Sequence, residues 1–126
     1  MKTMVCFRTQ QGRFAMPVES TLSVRKVDGL VDLPSPAAEI VGVLPGDPPL
    51  SVLSSLGAGA NHVLVVVADD VRFGLHVSEV LGVRRFQDEE IGPPPQGQAN
   101  ELIAGMLHEG GELVLVADPR ALAARL

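Results

Sequence analysis

Aromatic residues and positive charge are both scarce in this chain of 126 residues. It has four Phe and neither Trp nor Tyr, so it lacks the aromatic platforms on which single-stranded nucleic acids stack. Its 10 Lys and Arg stand against 15 Asp and Glu, which gives a net charge of -5. Because proteins hold phosphate backbones through an excess of cations, this composition argues against a nucleic-acid partner.

Long apolar runs and cysteine pairs are missing as well. The longest apolar run, residues 63–68, is far shorter than the roughly 20 residues that cross a bilayer, and the N-terminus has no basic-then-apolar signal pattern. A single cysteine, Cys6, cannot form an internal disulfide, which is usual in a reducing compartment. We therefore predict a cytoplasmic protein without direct membrane insertion, in which Cys6 is an inert, packed thiol.

The chain contains a copy of part of itself. Residues 13–27 read again without a gap at residues 72–86, and six of the fifteen positions are identical. The likeness continues downstream, where residues 40–44 match residues 103–107. A repeat of about 60 residues is too long for a solenoid, and two copies are too few to build one. It predicts two similar modules on a pseudo-twofold axis, with the two matching segments as equivalent strand pairs.

The segments between turns are short and extended. Three of them read as hairpins around polar or Gly-rich turns, with mainly apolar strands: residues 4–18, 63–77 and 102–116. Asp118 and Pro119 start a helix, as an N-cap acid followed by a proline at the first helical position. We predict an all-β fold of two small barrels with a short C-terminal helix. Phe14 and Phe73, equivalent in the repeat, should each be buried in the core of their own barrel.

The sequence has only weak motifs for catalysis and for cofactor or metal binding. Residues 57–61 resemble the start of a dinucleotide fingerprint, but they lead into a strand instead of a helix and are interpreted as a connector. His62, His76 and His108 lie far apart and without metal-ligand spacing. The acidic clusters fall in turns, and no base stands near a serine to activate it. We therefore predict no catalytic, cofactor-binding or metal-binding residues, and no enzyme activity.

A series of motifs runs in order through both halves of the chain. The first half contains residues 14–18 (FAMPV), 24–25 (VR), 40–43 (IVGV), 44–46 (LPG) and 56–57 (LG). The second half contains residues 71–80 (VRFGLHVSEV), 83, 91, 93–95 (PPP), 103–106 (IAGM), 110 and 113–118 (LVLVAD). This ordered series, taken with the duplication, resembles a CheW-type chemotaxis coupling domain over nearly the whole chain.

The resemblance implies a fold and its division. It implies a single domain over residues 1–126 that contains two SH3-like barrels. The first barrel is expected mainly from residues 15–61 and the second mainly from residues 62–117, with the termini packing across.

The resemblance also implies a function. Members of this family are non-catalytic adaptors that link the cytoplasmic tips of chemoreceptors to the regulatory domain of a CheA-type histidine kinase. We therefore expect a bacterial chemosensory scaffold without a cofactor. A chemoreceptor, such a kinase and another CheW-like protein are its candidate partners. The candidate partner-binding residues are Thr21, Ser23, Arg25, Val27, Leu30, Val41, Gly42, Leu44, Pro45, Val83 and Arg84.

Four positions in the first copy depart from the family. Ser23 stands where an acid is common, Val41 where a basic residue is usual, Pro45 where the turn carries an arginine, and Val52 where an Asp ends the strand. One interpretation is a divergent member that binds receptors or another coupling protein but has lost kinase binding. The other is an interface rebuilt around apolar contacts. A small-molecule-binding or enzymatic barrel is the least favoured alternative.

Apolar residues that follow the first copy have two interpretations. They line a groove that accepts the helical hairpin tip of a receptor, or they close the ends of the barrel. The residues concerned are Val24, Val27, Leu30, Val31 and Leu33.

Overall fold

The computed structural model describes residues 1–26, 31–32, 39–94 and 101–126, with the backbone alone at residues 31 and 32. The strands are β1 Lys2–Thr9, β2 Gly12–Pro17, β3 Thr21–Lys26, β4 Val31–Asp32, β5 Ile40–Leu44, β6 Leu50–Leu53, β7 His62–Ala68, β8 Val71–Val77, β9 Glu79–Phe86, β10 Ile103–Glu109 and β11 Glu112–Ala117. Two single 3-10 turns, Val18–Ser20 and Asp88–Glu90, and the helix α1, Pro119–Ala123, complete these elements. None of the helical segments in these ranges has the length and apolar content that a bilayer-spanning helix requires.

The strands form two sheets that do not follow the two halves of the chain. The terminal sheet has the order β10-β11-β2-β1-β9, and the central sheet has the order β3-β7-β8-β6-β5-β4. The predicted division between residues 61 and 62 does not coincide with the boundary between the sheets, because β7 and β8 belong with β3 to β6. The reason is that each copy of the repeat changes sheet: the first runs from β2 in the terminal sheet to β3 in the central one, and the second runs from β8 to β9 in the opposite direction.

The duplication is visible in the hydrogen bonding of the sheets. β3 pairs antiparallel with β7, and β9 pairs antiparallel with β1. Each pairing skips one residue at a β-bulge, and the skipped residues, Leu22 and Leu81, are equivalent in the repeat. The predicted equivalence of residues 13–27 and 72–86 as strand pairs is thus confirmed. Each pair spans both sheets, however, instead of lying within one barrel.

A second pair of bulges relates the downstream hairpins. β5 pairs with β6 and skips Val41, and β10 pairs with β11 and skips Ala104. β6 then runs parallel to β8, as β11 runs parallel to β2. Both sheets are therefore assembled by the same pairing scheme.

Three apolar clusters form the core. One belongs to the terminal sheet and includes Met4, Cys6, Ala15, Phe86, Leu107, Val114 and Val116. One belongs to the central sheet and consists of Leu44, Leu50, Val52, Val63 and Val65. The largest lies between the sheets and includes Val5, Phe7, Phe14, Met16, Leu53, Leu64, Val66, Phe73, Leu75, Val77 and Leu122.

Phe14 and Phe73 are 4% and 0% exposed, so their predicted burial is confirmed. Their predicted location is wrong, because both lie in the cluster between the sheets and not in separate barrel cores. Phe14 also stacks on Phe7, with the ring centroids 5.8 Å apart. The C-terminal helix joins the same cluster through Leu122, and its predicted start is confirmed by Asp118, whose carboxylate accepts a hydrogen bond of 3.0 Å from the amide of Arg120.

Substitution of either buried phenylalanine should destabilise the whole molecule. We expect Phe14→Ala and Phe73→Ala each to lower the free energy of unfolding by about 3 to 5 kcal/mol, because a large ring leaves a cavity in a shared core. Urea unfolding followed by circular dichroism measures this change. Leu113→Ala, at a position 43% exposed, is the control and should cost less than about 0.5 kcal/mol. A loss at Phe73 no larger than that of the control would contradict the assignment.

Candidate functional site

The outer strand of the central sheet is uncovered on both faces. β3 is one of the two edge strands of this sheet, and residues 22–26 are exposed one after another. A strand that covers a core would bury every second residue, so this segment contributes little to the interior. Leu22 and Val24 are 54% and 45% exposed, and the basic residues Arg25 and Lys26 follow them. We call residues 22–26 the β3 edge.

The terminal sheet presents an equivalent surface. β9 is one of its two edge strands, and residues 83–85 are exposed. Val83, the repeat equivalent of Val24, is 56% exposed and is followed by Arg84 and Arg85. We call residues 83–85 the β9 edge. Two related surfaces, each with apolar and basic side chains beside the unpaired backbone groups of an edge strand, therefore lie on different sheets.

Five of the predicted partner-binding residues lie on the two edge strands. Ser23 and Arg25 are exposed on β3, and Val83 and Arg84 are exposed on β9. Thr21 is half-buried at the start of β3, where its hydroxyl donates a hydrogen bond of 2.9 Å to the carbonyl of Val18. The structure therefore places these candidates on two strands instead of at one centre.

The candidates on β5 have different surroundings. Leu44 is 4% exposed in the cluster of the central sheet, and Gly42 is buried between its strand partners, so neither of these two candidates presents a side chain at the surface. They face inward because the bulge at Val41 sets the alternation of the strand. Val41 itself is partly buried against that cluster, and Pro45, just past the strand, is exposed.

Three other residues predicted near the β3 edge lie outside the described residues: Val27, Leu30 and Leu33. Val24 is exposed, so it does not close a barrel end. Val52, one of the four departures from the family pattern, is fully buried and cannot belong to an interface.

An ion cluster beside the β9 edge was not predicted. Arg13, whose side chain is 9% exposed, lies 2.5 Å from the Glu109 carboxylate and 3.3 Å from the Glu112 carboxylate. Arg84 approaches Glu109 at 3.8 Å, and Arg8 donates to Glu112 at 3.2 Å. The sequence places the two glutamates on either side of a Gly-Gly turn, but nothing in it indicates that this turn lies against β2. We call these five residues the glutamate cluster.

The charges of this cluster alter the acid–base properties of its members. Hydrogen bonds from Arg8, and then from Arg13, hold the pKa of Glu112 below its ordinary value of 4.5. The neighbouring Glu109 raises the pKa of Arg13, which stays charged. Cys6 is fully buried, so the predicted packing of this thiol is confirmed, and its burial raises the pKa of the thiol.

A cavity of about 370 Å³ opens on the apolar cluster between the sheets and is lined by Gln11, Phe14, Ser54, Ser55, Leu56, Gly57, Leu102, Ile103 and Leu115. Its wall is fixed by the β1–β2 turn, where the Thr9 hydroxyl donates to the carbonyl of Leu56 at 2.7 Å and the amide of Gln10 donates to Ala58 at 3.0 Å. A side chain at Gly57 would collide with Gln11. The glycine of this connector thus serves close packing. In the described parts of the chain, no three His, Cys, Asp or Glu side chains are placed to hold a metal ion.

The lowered pKa of Glu112 predicts a pH-dependent contribution to stability. Its carboxylate stabilises the folded state above pH 4.5, and this contribution is lost as the pH falls through the lowered pKa. Glu112→Gln should therefore lower the urea midpoint at about pH 7 and have much less effect at about pH 3. Glu89→Gln, an exposed glutamate outside the cluster, is the control at both pH values. An equal effect of Glu112→Gln at both pH values would contradict this assignment.

Comparison with known proteins agrees with this architecture. The family model described as a CheW-like domain matches residues 49–126, more than half of the chain. No curated protein matches the chain. The crystal structure of scaffolding protein TtCheW from Thermoanaerobacter tengcongensis is similar, with a TM-score of 0.79, 17% identity, and coverage of 93% of this chain and 88% of that one. This likeness confirms the predicted all-β fold with two SH3-like barrels. The chain belongs to the family of CheW-like domains.

Proposed function

We propose that this protein is a non-catalytic adaptor in the cytoplasm that couples chemoreceptors to a CheA-type histidine kinase. One observation carries the proposal: the two sheets present repeat-related, uncovered edge strands, the β3 edge and the β9 edge. A protein that holds two partners at once needs two surfaces that do not overlap. Unpaired strand edges with exposed apolar side chains are suited to such contacts.

The two partners differ in shape, and the structure offers surfaces of different kinds. The tip of a receptor is a helical hairpin, which packs its apolar face into a groove. The 370 Å³ cavity between the sheets, with Phe14, Leu102 and Leu115 in its wall, has room for single side chains of such a helix. A globular regulatory domain instead meets a strand edge. We therefore assign the kinase to one of the two edges.

A narrower partner set is the second candidate function. In this reading the protein binds receptors or another CheW-like protein but no longer binds the kinase. The neutral residues Ser23 and Pro45 favour it, because both are exposed where the family carries charge. The changes at Val41 and Val52 do not support this narrower partner set in the same way. The side chain of Val41 is partly buried and that of Val52 is fully buried.

Calorimetry with a receptor tip fragment and the kinase regulatory domain tests the adaptor proposal. We expect both to bind the wild-type chain, and we expect Val24→Glu or Val83→Glu to weaken kinase binding at least about tenfold, because a desolvated charge opposes an apolar contact. Leu113→Glu, exposed on an inner strand of the terminal sheet, is the matched control and should leave both affinities within about twofold. If neither fragment binds, the adaptor proposal fails.

The same titrations separate the two candidate functions. If the partner set is narrowed, the receptor tip should bind more tightly than the kinase domain. The double substitution Ser23→Glu with Pro45→Arg should then strengthen the kinase contact, and the gain should shrink with added salt, because rim charges are screened. Wild-type binding to the kinase domain at micromolar affinity or tighter would contradict the narrowed set and leave the ordinary coupling role.

A further inference from the structure

The glutamate cluster has an open counterpart in the central sheet. Arg72 on β8 and Arg25 on β3 occupy the repeat positions of Arg13 on β2 and Arg84 on β9. Arg25 and Arg72 line one small cavity, of about 80 Å³, together with residues 46–50 of the β5–β6 turn. The two arginines thus face this turn as their equivalents face the β10–β11 turn.

The acids that close the cluster in the terminal sheet have no equivalents here. The matching bulges at Val41 and Ala104 relate β5 to β10 by an offset of 63 residues, so Gly46 stands in the place of Glu109. β6 and β11 are related by an offset of 64 residues, so Pro48 stands in the place of Glu112. Both copies have the two arginines, but only the second copy has the two carboxylates, and the equivalent positions of the first copy are uncharged.

The remaining acid of the turn does not replace them. Asp47 lines the cavity, but among the side chains that the structure describes no carboxylate lies within 4.0 Å of Arg25 or Arg72. Both arginines are exposed, whereas Arg13 is nearly buried against its two glutamates. The cavity therefore has two cationic walls and room for a small anionic group.

We propose that Arg25 and Arg72 form a subsite for a carboxylate side chain of a partner protein, in the position that Glu109 has in the terminal sheet. This inference rests on the proposed adaptor function and specifies how one partner is recognised. Charge complementarity argues for a carboxylate, since the planar guanidinium group binds one in a bidentate manner and this chain already uses that pairing at Arg13. Because Arg25 belongs to the β3 edge, the partner should place an acidic residue near one that contacts Val24.

A peptide titration tests the subsite without any natural partner. The probe is an acetylated, amidated hexaglutamate, added to the full-length chain while the arginine Nε–H signals are followed by NMR. We expect the signals of Arg25 and Arg72 to shift together, and Arg72→Gln to weaken the peptide's effect on Arg25 at least about fivefold. Arg85→Gln, an exposed arginine of the β9 edge, is the matched control and should change nothing at Arg25. An unchanged response of Arg25 in Arg72→Gln would overturn the proposal, as would tighter binding of inorganic phosphate than of hexaglutamate.

Calorimetry with the protein partners keeps this inference separate from the adaptor proposal. Arg72→Gln should weaken, at least about fivefold, the binding of the same partner that Val24→Glu weakens, and Arg72→Lys should restore less than half of the lost binding free energy, because lysine lacks the bidentate fork. If both partners bind Arg72→Gln as tightly as the wild type, the subsite is wrong and the adaptor function stands. If neither partner binds the wild type, the adaptor function fails, and the peptide titration still decides the subsite.

Discussion

The apolar cluster between the two sheets is the constraint on which the rest of the molecule depends. Phe7 and Phe14 enter it from the terminal sheet and Phe73 enters it from the central sheet. Both copies of the repeat pass beside this cluster as they change sheet, so neither sheet is assembled from one half of the chain. Packing of these rings therefore fixes the β3 edge relative to the β9 edge. A scaffold that must hold partners in a defined geometry requires a rigid relation of this kind.

Within this common frame, the two copies share the pattern of strand pairing and differ in charge. Bulges, parallel pairings and edge strands recur in both sheets. The turn that faces the paired arginines, by contrast, supplies two carboxylates in the terminal sheet and none at the equivalent positions of the central sheet. Arg13 and Arg84 therefore pair with carboxylates of the same chain, whereas Arg25 and Arg72 are exposed. A duplicated scaffold can in this way present two chemically different surfaces without any change of fold.

The sequence predicted the local structure well and the long-range pairing poorly. Phe14 and Phe73 occupy the same position in the two copies of the repeat, and this match predicted two strand pairs and two buried rings. The alternation of side chains along a strand determines which of them face inward. The sequence could not show which sheet each strand joins, since the alternation of apolar residues along a strand is the same whichever strand it pairs with. The burial of Leu44 depends on a bulge at Val41, and the contact of Arg13 with Glu109 joins residues 96 positions apart. Neither feature leaves a local signal.

We propose that two separate surfaces of this CheW-like domain hold two partners at once. Sedimentation velocity on an equimolar mixture of the chain, a receptor tip fragment and the kinase regulatory domain tests it directly. We expect a ternary complex that contains all three components and is larger than either binary complex. A mixture in which the receptor tip and the kinase domain displace each other, so that only binary complexes sediment, would contradict it.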